Sequence, residues 1–144
     1  MTPTIRTATF TGRYDSLRLI AAFVRKAAED AGLDTTSVYM VETAVDEACS
    51  NIIEHAYGGE DIGDIEITCQ IHPYGLKVIL LDYGKSFNPG EIPEPKIDVP
   101  LEERESHGLG LFFMQKMMDE IQFEFSEENG NVLSMTKFKE KKAG

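Results

Sequence analysis

At 144 residues the chain is long enough for one domain with a real core, and 42% hydrophobic with 27% charged residues is an ordinary globular mixture. The formal net charge is -11. With no local basic patch, such a surface excludes direct binding to nucleic acid or to an anionic membrane and favours a partner with a basic face.

Thr4 to Thr11 alternates polar and apolar residues and is rich in Thr and Ile, which predicts a strand. Gly12 and Asp15-Ser16 supply turn and cap chemistry. Leu17, Ile20, Ala21, Val24 and Ala28 then form the apolar stripe of a first helix that ends at Gly32. Asp34-Thr35-Thr36-Ser37 caps a second helix, expected to run on to Gly58-Gly59. Val41, Ala44, Val45, Ala48, Ile52 and Ala56 give it an apolar face. Thr43, Glu47, Asn51 and His55 recur every four residues and stack along another face. Asp64 to His72 alternates Ile65, Ile67, Cys69 and Ile71 and predicts a strand. Pro73-Tyr74-Gly75 is a turn, and Leu76 to Leu81 is a second strand pairing with the first as a hairpin.

Between Gly84 and His107 the character changes. Pro89, Pro93, Pro95 and Pro100 fall here, and Glu91 to Glu105 holds six acidic residues against Lys96 and Arg104. A long loop of this composition in a compact domain is a functional lid or a linker. Gly108-Leu109-Gly110 follows, then a helix whose Met114, Met117 and Met118 are expected to fill core gaps. Ile121 to Phe125 alternates, Glu128-Asn129-Gly130 is a hairpin turn, and Val132 to Phe138 is the last strand. No internal repeat and no second domain is visible. Cys49 and Cys69 set neither a disulfide framework nor a CxxC metal site and are expected to be buried thiols. There is no signal-peptide pattern, and the longest strongly apolar run is Val78 to Leu81. A reduced, cytoplasmic setting is the expectation.

Three stretches carry chemistry. Glu47 and Asn51 stand one helical turn apart. A carboxylate and a carboxamide so placed can hold a hydrated Mg²⁺, which takes only one or two protein oxygens beside substrate phosphates. The same pattern also describes a solvated helix face. Leu81-Asp82-Tyr83-Gly84 closes an apolar strand, where an Asp can accept from an exocyclic amine such as adenine's and a Gly lets backbone approach a ligand ring. A strand-end turn favours the same residues. Ser106-His107-Gly108-Leu109-Gly110-Leu111 opens a helix, where N–H groups and the helix dipole meet an anion. It is neither a P-loop nor a dinucleotide fingerprint.

Together and in this order, these stretches resemble the N, G1 and G2 boxes of the GHKL ATPase superfamily. The closest likeness is to anti-sigma-factor serine kinases with a histidine-kinase-like ATPase domain. Glu47-Ala48-Cys49-Ser50-Asn51, His55-Ala56-Tyr57, Asp82-x-Gly84-x-Ser86-Phe87, Gly108-Leu109-Gly110-Leu111, Met118-Asp119-Glu120 and Ser134-Met135-Thr136-Lys137 carry the resemblance, which covers about residues 10 to 138. Ser86 stands where the second glycine of Asp-x-Gly-x-Gly is usual, and Ser106-His107 stands where a further glycine often precedes Gly-Leu-Gly-Leu.

The resemblance implies ATP and Mg²⁺ as cofactors, Glu47 as general base and Asn51 as the metal ligand. It implies Asp82 as adenine reader, Gly84 and Phe87 along the nucleotide pocket, Gly108, Leu109 and Gly110 at the phosphates, and residues 88–107 as an ATP lid. His55 is either close to metal and phosphates or bonded to backbone at a helix end, and His107 is a candidate phosphate contact. The implied partners are a sigma factor and a STAS-type anti-anti-sigma protein whose serine is phosphorylated, with homodimerisation carried over from the same likeness. A protein that binds ATP and sequesters a partner without catalysis is the alternative. A detached histidine-kinase catalytic domain fits less well, since no dimerisation helix with a phosphoacceptor histidine precedes these motifs. The element order predicts an α+β two-layer sandwich, with helices on one face of a mixed, mostly antiparallel sheet and the nucleotide between them.

Overall fold

The computed structural model describes residues 2–86, 106–126 and 128–139, with backbone alone at 106–111. Phe87 and residues 88–105, the bulk of the expected lid, lie outside the described residues.

Strand β1 covers Thr4–Thr11, helix α1 Leu17–Asp30 and helix α2 Thr35–Asn51. The hairpin strands are β2, Asp64–His72, and β3, Gly75–Asp82. Helix α3 spans Ser106–Met117, and a second hairpin joins β4, Glu120–Ser126, to β5, Gly130–Phe138. The strands agree with the sequence reading to within two residues, because alternation over seven to nine residues marks each strand and Gly or Asn-Gly turns separate them. The strands form one sheet in the order β1-β2-β3-β5-β4. All four pairings are antiparallel, so the parallel component of a mixed sheet is not found among the described strands.

One face of the sheet is buried under the helices. Ile65, Ile67 and Cys69 of β2, Leu76, Val78 and Leu80 of β3, and Leu133 and Met135 of β5 point inward. They meet Ile20, Val24, Ala27 and Ala28 of α1 and Val41, Ala44, Val45, Ala48 and Cys49 of α2. Met114 and Met118 complete this core, as expected of methionines at helical spacing. Both cysteine thiols are buried; burial pushes Cys69 up to about 12 and Cys49 higher still, so neither is a reactive thiolate. Asp34 caps α2 by accepting from the Ser37 N–H at 2.7 Å. Arg6 of β1 pairs with Asp30 of α1 at 2.7 Å, and Arg25 of α1 with Glu42 of α2.

The second helix does not continue as α-helix to Gly58. From Ile52 to Ala56 it widens into a π-helical turn, closed by the Tyr57 N–H donating to Ile52 O at 2.9 Å, five residues back. Ile52 and Ile53 are neighbours and both are buried, at 8% and 0% exposure. An ordinary helix turns each residue 100° from the last, and the wider turn rotates each residue by less. A four-residue repeat therefore stops predicting side-chain direction after Asn51.

Candidate functional site

A pocket of about 440 Å³, counted out to its open mouth, lies between the end of α2, the end of β3 and the β4–β5 hairpin. Its floor is apolar, made by Ala48, Ile52, Met114 and Leu133 with Phe123 and Phe125 of β4. Its polar groups are few: Asn51, Asp82, Asn131 and Lys85. An apolar slot with a handful of convergent polar groups suits a flat heteroaromatic ligand with a polar edge.

Asp82 ends β3 and is 5% exposed. Its Oδ1 accepts from the Gly84 N–H and from Asn131 Nδ2, both at 2.9 Å. Among the described residues Oδ2 makes no hydrogen bond, and Asp82 lines the pocket, so one oxygen is held and the other is left for a donor on a ligand. Burial pushes the Asp82 carboxyl above its ordinary range, while the Asn131 amide and the Gly84 N–H pull it back down.

Gly84 sits flat against the end of the π-helical turn. A Cβ added there would lie 2.5 Å from the backbone C and O of Ala56, and the Lys85 N–H donates to Ala56 O at 2.7 Å. The close approach that demands glycine is thus to the protein's own backbone. Tyr57 ties the same corner: its hydroxyl donates to Asp64 O at 2.5 Å and accepts from the Tyr83 N–H at 3.1 Å.

Asn51 is the last residue of α2 and lines the pocket, and its carboxamide makes no hydrogen bond among the described residues. Glu47 stands one turn earlier, half-buried, but is not among the residues lining the pocket. Burial, reinforced by Asp46 and Glu54, pushes its carboxyl above the ordinary glutamate range. His55 falls within the π-helical turn, so it leaves the stripe of Glu47 and Asn51. It is exposed, its Nε2 is 3.9 Å from Glu54 Oε2, and it does not line the pocket.

The described residues hold no cluster of three His, Cys, Asp or Glu side chains that would cage a metal. A single unengaged carboxamide oxygen does fit Mg²⁺, which keeps its waters and takes its remaining ligands from phosphates. Asn51 is the residue that would hold it.

Helix α3 begins at Ser106, two residues ahead of Gly108, so both glycines lie inside its first turns. Within such a helix the N–H groups of Ser106, His107 and Gly108 have no carbonyl one turn back within the helix, whereas that of Gly110 does. The side chains of His107, Leu109 and Leu111 are outside the description, and Phe87 is outside it altogether.

Two polar members of the pocket escape sequence reasoning. Asn131 follows an Asn-Gly turn and reads as turn chemistry; it lies opposite Asp82 only through the β3–β5 register. Lys85 reads as a loop lysine, and the contact of its N–H with Ala56 brings it to the pocket mouth.

The two-layer α+β fold presents, in one pocket, a clamped carboxylate on a strand end and a carboxamide on a helix end. Residues 10–137 match the family model described as the histidine kinase-like ATPase domain, and the chain belongs to that family. It is 35% identical over 102 residues to a serine-protein kinase RsbW of Bacillus mycoides, a match covering 68% of this chain and 62% of that protein. A serine-protein kinase RsbW of Halalkalibacterium halodurans is 32% identical over 102 residues, covering 68% of this chain and 60% of its own length. The chain therefore spans about three fifths of the length of these relatives. The solved structure of the RsbU and RsbW domains of a Mycobacterium tuberculosis protein superposes with a TM-score of 0.63 at 15% identity, covering 94% of this chain and 32% of that one, a likeness of fold. Among the described residues no helix is long and apolar enough to cross a membrane.

Proposed function

We propose that the protein is an ATP-dependent serine kinase of the anti-sigma-factor kind, acting in the cytoplasm. It binds Mg-ATP in the pocket beside Asp82, sequesters a sigma factor, and phosphorylates a serine of a STAS-type anti-anti-sigma partner. The carrying observation is the division of labour at Asp82, with Oδ1 held by two protein donors and Oδ2 left to the pocket, as an adenine amine requires. The names of the RsbW relatives support the reaction class, and homodimerisation is part of the same reading.

In this reading Asp82 fixes the base, and the apolar floor excludes water around it. Asn51 would hold Mg²⁺, which supplies neutralisation of phosphate charge when bound. Glu47 orients the partner's serine hydroxyl and takes its proton as the hydroxyl oxygen bonds to the γ-phosphorus, leaving phosphoserine and ADP. Burial pushes the Glu47 carboxyl upward, so as the base it would take a proton more readily than an ordinary glutamate, and the acid limb of the rate profile is expected above the ordinary glutamate range.

Glu47 lies outside the pocket lining, and that observation favours a second reading, in which the protein binds ATP and switches partners without catalysis. Nucleotide affinity and partner phosphorylation, measured on the parent and two variants, separate the two. Glu47→Ala is expected to bind Mg-ATP as the parent does and to transfer phosphate about 10²- to 10⁴-fold more slowly. Asn51→Ala is expected to bind Mg-ATP poorly as well. A parent that phosphorylates no serine, yet binds its partner more tightly with Mg-ATP, selects the second reading.

A further inference from the structure

Lys137 stands half-buried on the core face of the sheet. It lies opposite Leu76 in the β3–β5 register, directly opposed residues share a face, and Leu76 is fully buried. An ammonium sent among apolar side chains needs partners. Its Nζ donates to the carbonyl of Met117, the last residue of α3, at 2.7 Å, and to Met40 Sδ of α2 at 3.2 Å. That carbonyl is one of the four at a helix end with no partner inside the helix, and a cation there also meets the negative end of the helix dipole. Two further bonds fasten the same corner to β5: the Asp119 N–H donates to Thr136 O at 2.9 Å, and the Phe138 N–H donates to Asp119 Oδ2 at 2.7 Å. The two helices that meet Lys137 run antiparallel. Met117 is tied in beside Met40 in the first half of α2, whereas Met114 lines the pocket with Ala48, Asn51 and Ile52 at the end of α2. The ends remote from the pocket are thus pinned together. The opposite ends, Asn51 of α2 and the first turns of α3 with Gly108, are the ones assigned to metal and phosphates.

We propose that Lys137 is a positioning residue for the triphosphate. By pinning the end of α3 to α2 and β5, it fixes how far the N–H groups at the start of α3 stand from Asn51. This rests on the reading of the pocket as a nucleotide site with the phosphates between Asn51 and Gly108. The lever is a helix of 12 residues, about 18 Å long at 1.5 Å per residue. A small tilt about the pinned end is therefore magnified at the phosphate end. Without the ammonium, the Met117 carbonyl has lost its donor and its cation together. Bound phosphates must then hold α3 in place themselves, and the free energy so used is lost from their affinity. The base is read by Asp82, which belongs to the sheet and not to the lever.

The test is the ratio of dissociation constants for adenosine and Mg-ATP, on the full chain. Adenosine keeps the base and lacks the phosphates. Lys137→Met keeps an apolar stem and removes the ammonium. It should weaken Mg-ATP about tenfold, the worth of one hydrogen bond from a charged group, and leave adenosine bound as in the parent. Lys137→Arg, which keeps charge and donors, should recover the parent's ratio. A merely structural role weakens both ligands by one factor, or lowers the melting temperature alone, and leaves the ratio where it was. An unchanged ratio in Lys137→Met overturns the proposal. Should that variant fail to fold, Lys137→Gln is read in its place. It keeps a neutral donor, so a smaller fall in the ratio is expected, and an unchanged ratio overturns the proposal equally. A parent that binds Mg-ATP no more tightly than adenosine removes the phosphate assignment and this proposal with it, whereas a parent that binds neither removes the nucleotide reading itself.

Discussion

At the scale of single residues, Asp82 is held in a state that its surroundings resist. Burial raises its carboxyl above the ordinary range, and two donors only partly offset this. A carboxyl raised in the folded state contributes stability that is fully present below the ordinary carboxylate range and is lost as pH rises through the raised value. Asp82→Asn keeps an acceptor for the Gly84 and Asn131 donors and removes the charge. The unliganded variant should melt no lower than the parent at neutral pH, with any gain vanishing in acid, while its affinity for ATP falls. Melting curves against pH and an ATP titration check both halves; equal ATP affinity would mean that Asp82 does not read the base. Asp82, Glu47 and Asn51 stand out in the sequence as candidates because the pattern that singles them out is local, a strand end and one helical turn. Asn131 does not, because its contact with Asp82 depends on a pairing 49 residues away in the chain.

At the scale of elements, the strands and helices follow from local pattern: alternation in β1 to β5, and apolar stripes with an Asp34 cap in the helices. The π-helical turn at Ile52–Ala56 was illegible, since adjacent buried isoleucines are compatible with an ordinary helix until the packing around both is known. Its consequence for the site is large: it withdraws His55 from the stripe of Asn51 and brings the Ala56 carbonyl to Lys85. Gly84 fits only because it has no side chain against Ala56. Gly84→Ala forces a backbone shift where a Cβ would sit 2.5 Å from Ala56. It should cost about 1–3 kcal/mol, in the range of overpacked sites, and should weaken nucleotide binding by displacing a donor to Asp82. Chemical denaturation beside an ATP titration reads both; a variant as stable as the parent and equally tight would mean that the corner relaxes freely.

At the scale of the whole molecule, a ligand that binds only the native state stabilises it by mass action. Mg-ATP at 100 times its dissociation constant should add about 2.7 kcal/mol to the unfolding free energy. A melting curve unmoved by millimolar Mg-ATP would remove the nucleotide reading. The overall architecture was legible because a helix with one apolar face and a strand with one apolar face have few ways to cover each other. The strand order was not legible, because β5 inserts beside β3 and leaves β4 at the edge.

That insertion orders events during synthesis. Asp82 leaves the ribosome 49 residues before Asn131, so the nascent chain lacks one of the two donors to Asp82 Oδ1 until the strand carrying Asn131 has docked. Until then β3 is an open edge, with Val78 and Leu80 facing inward and Ile79 and Leu81 outward, a template for pairing with another chain. Loss of the final hairpin should therefore do more than abolish nucleotide binding. A chain ending at Asp119 should be recovered as aggregate, and chains carrying β5 as a discrete species by sedimentation. Completion of the fold and competence to bind ATP would then be a single event, so that no incomplete copy could draw on the nucleotide pool.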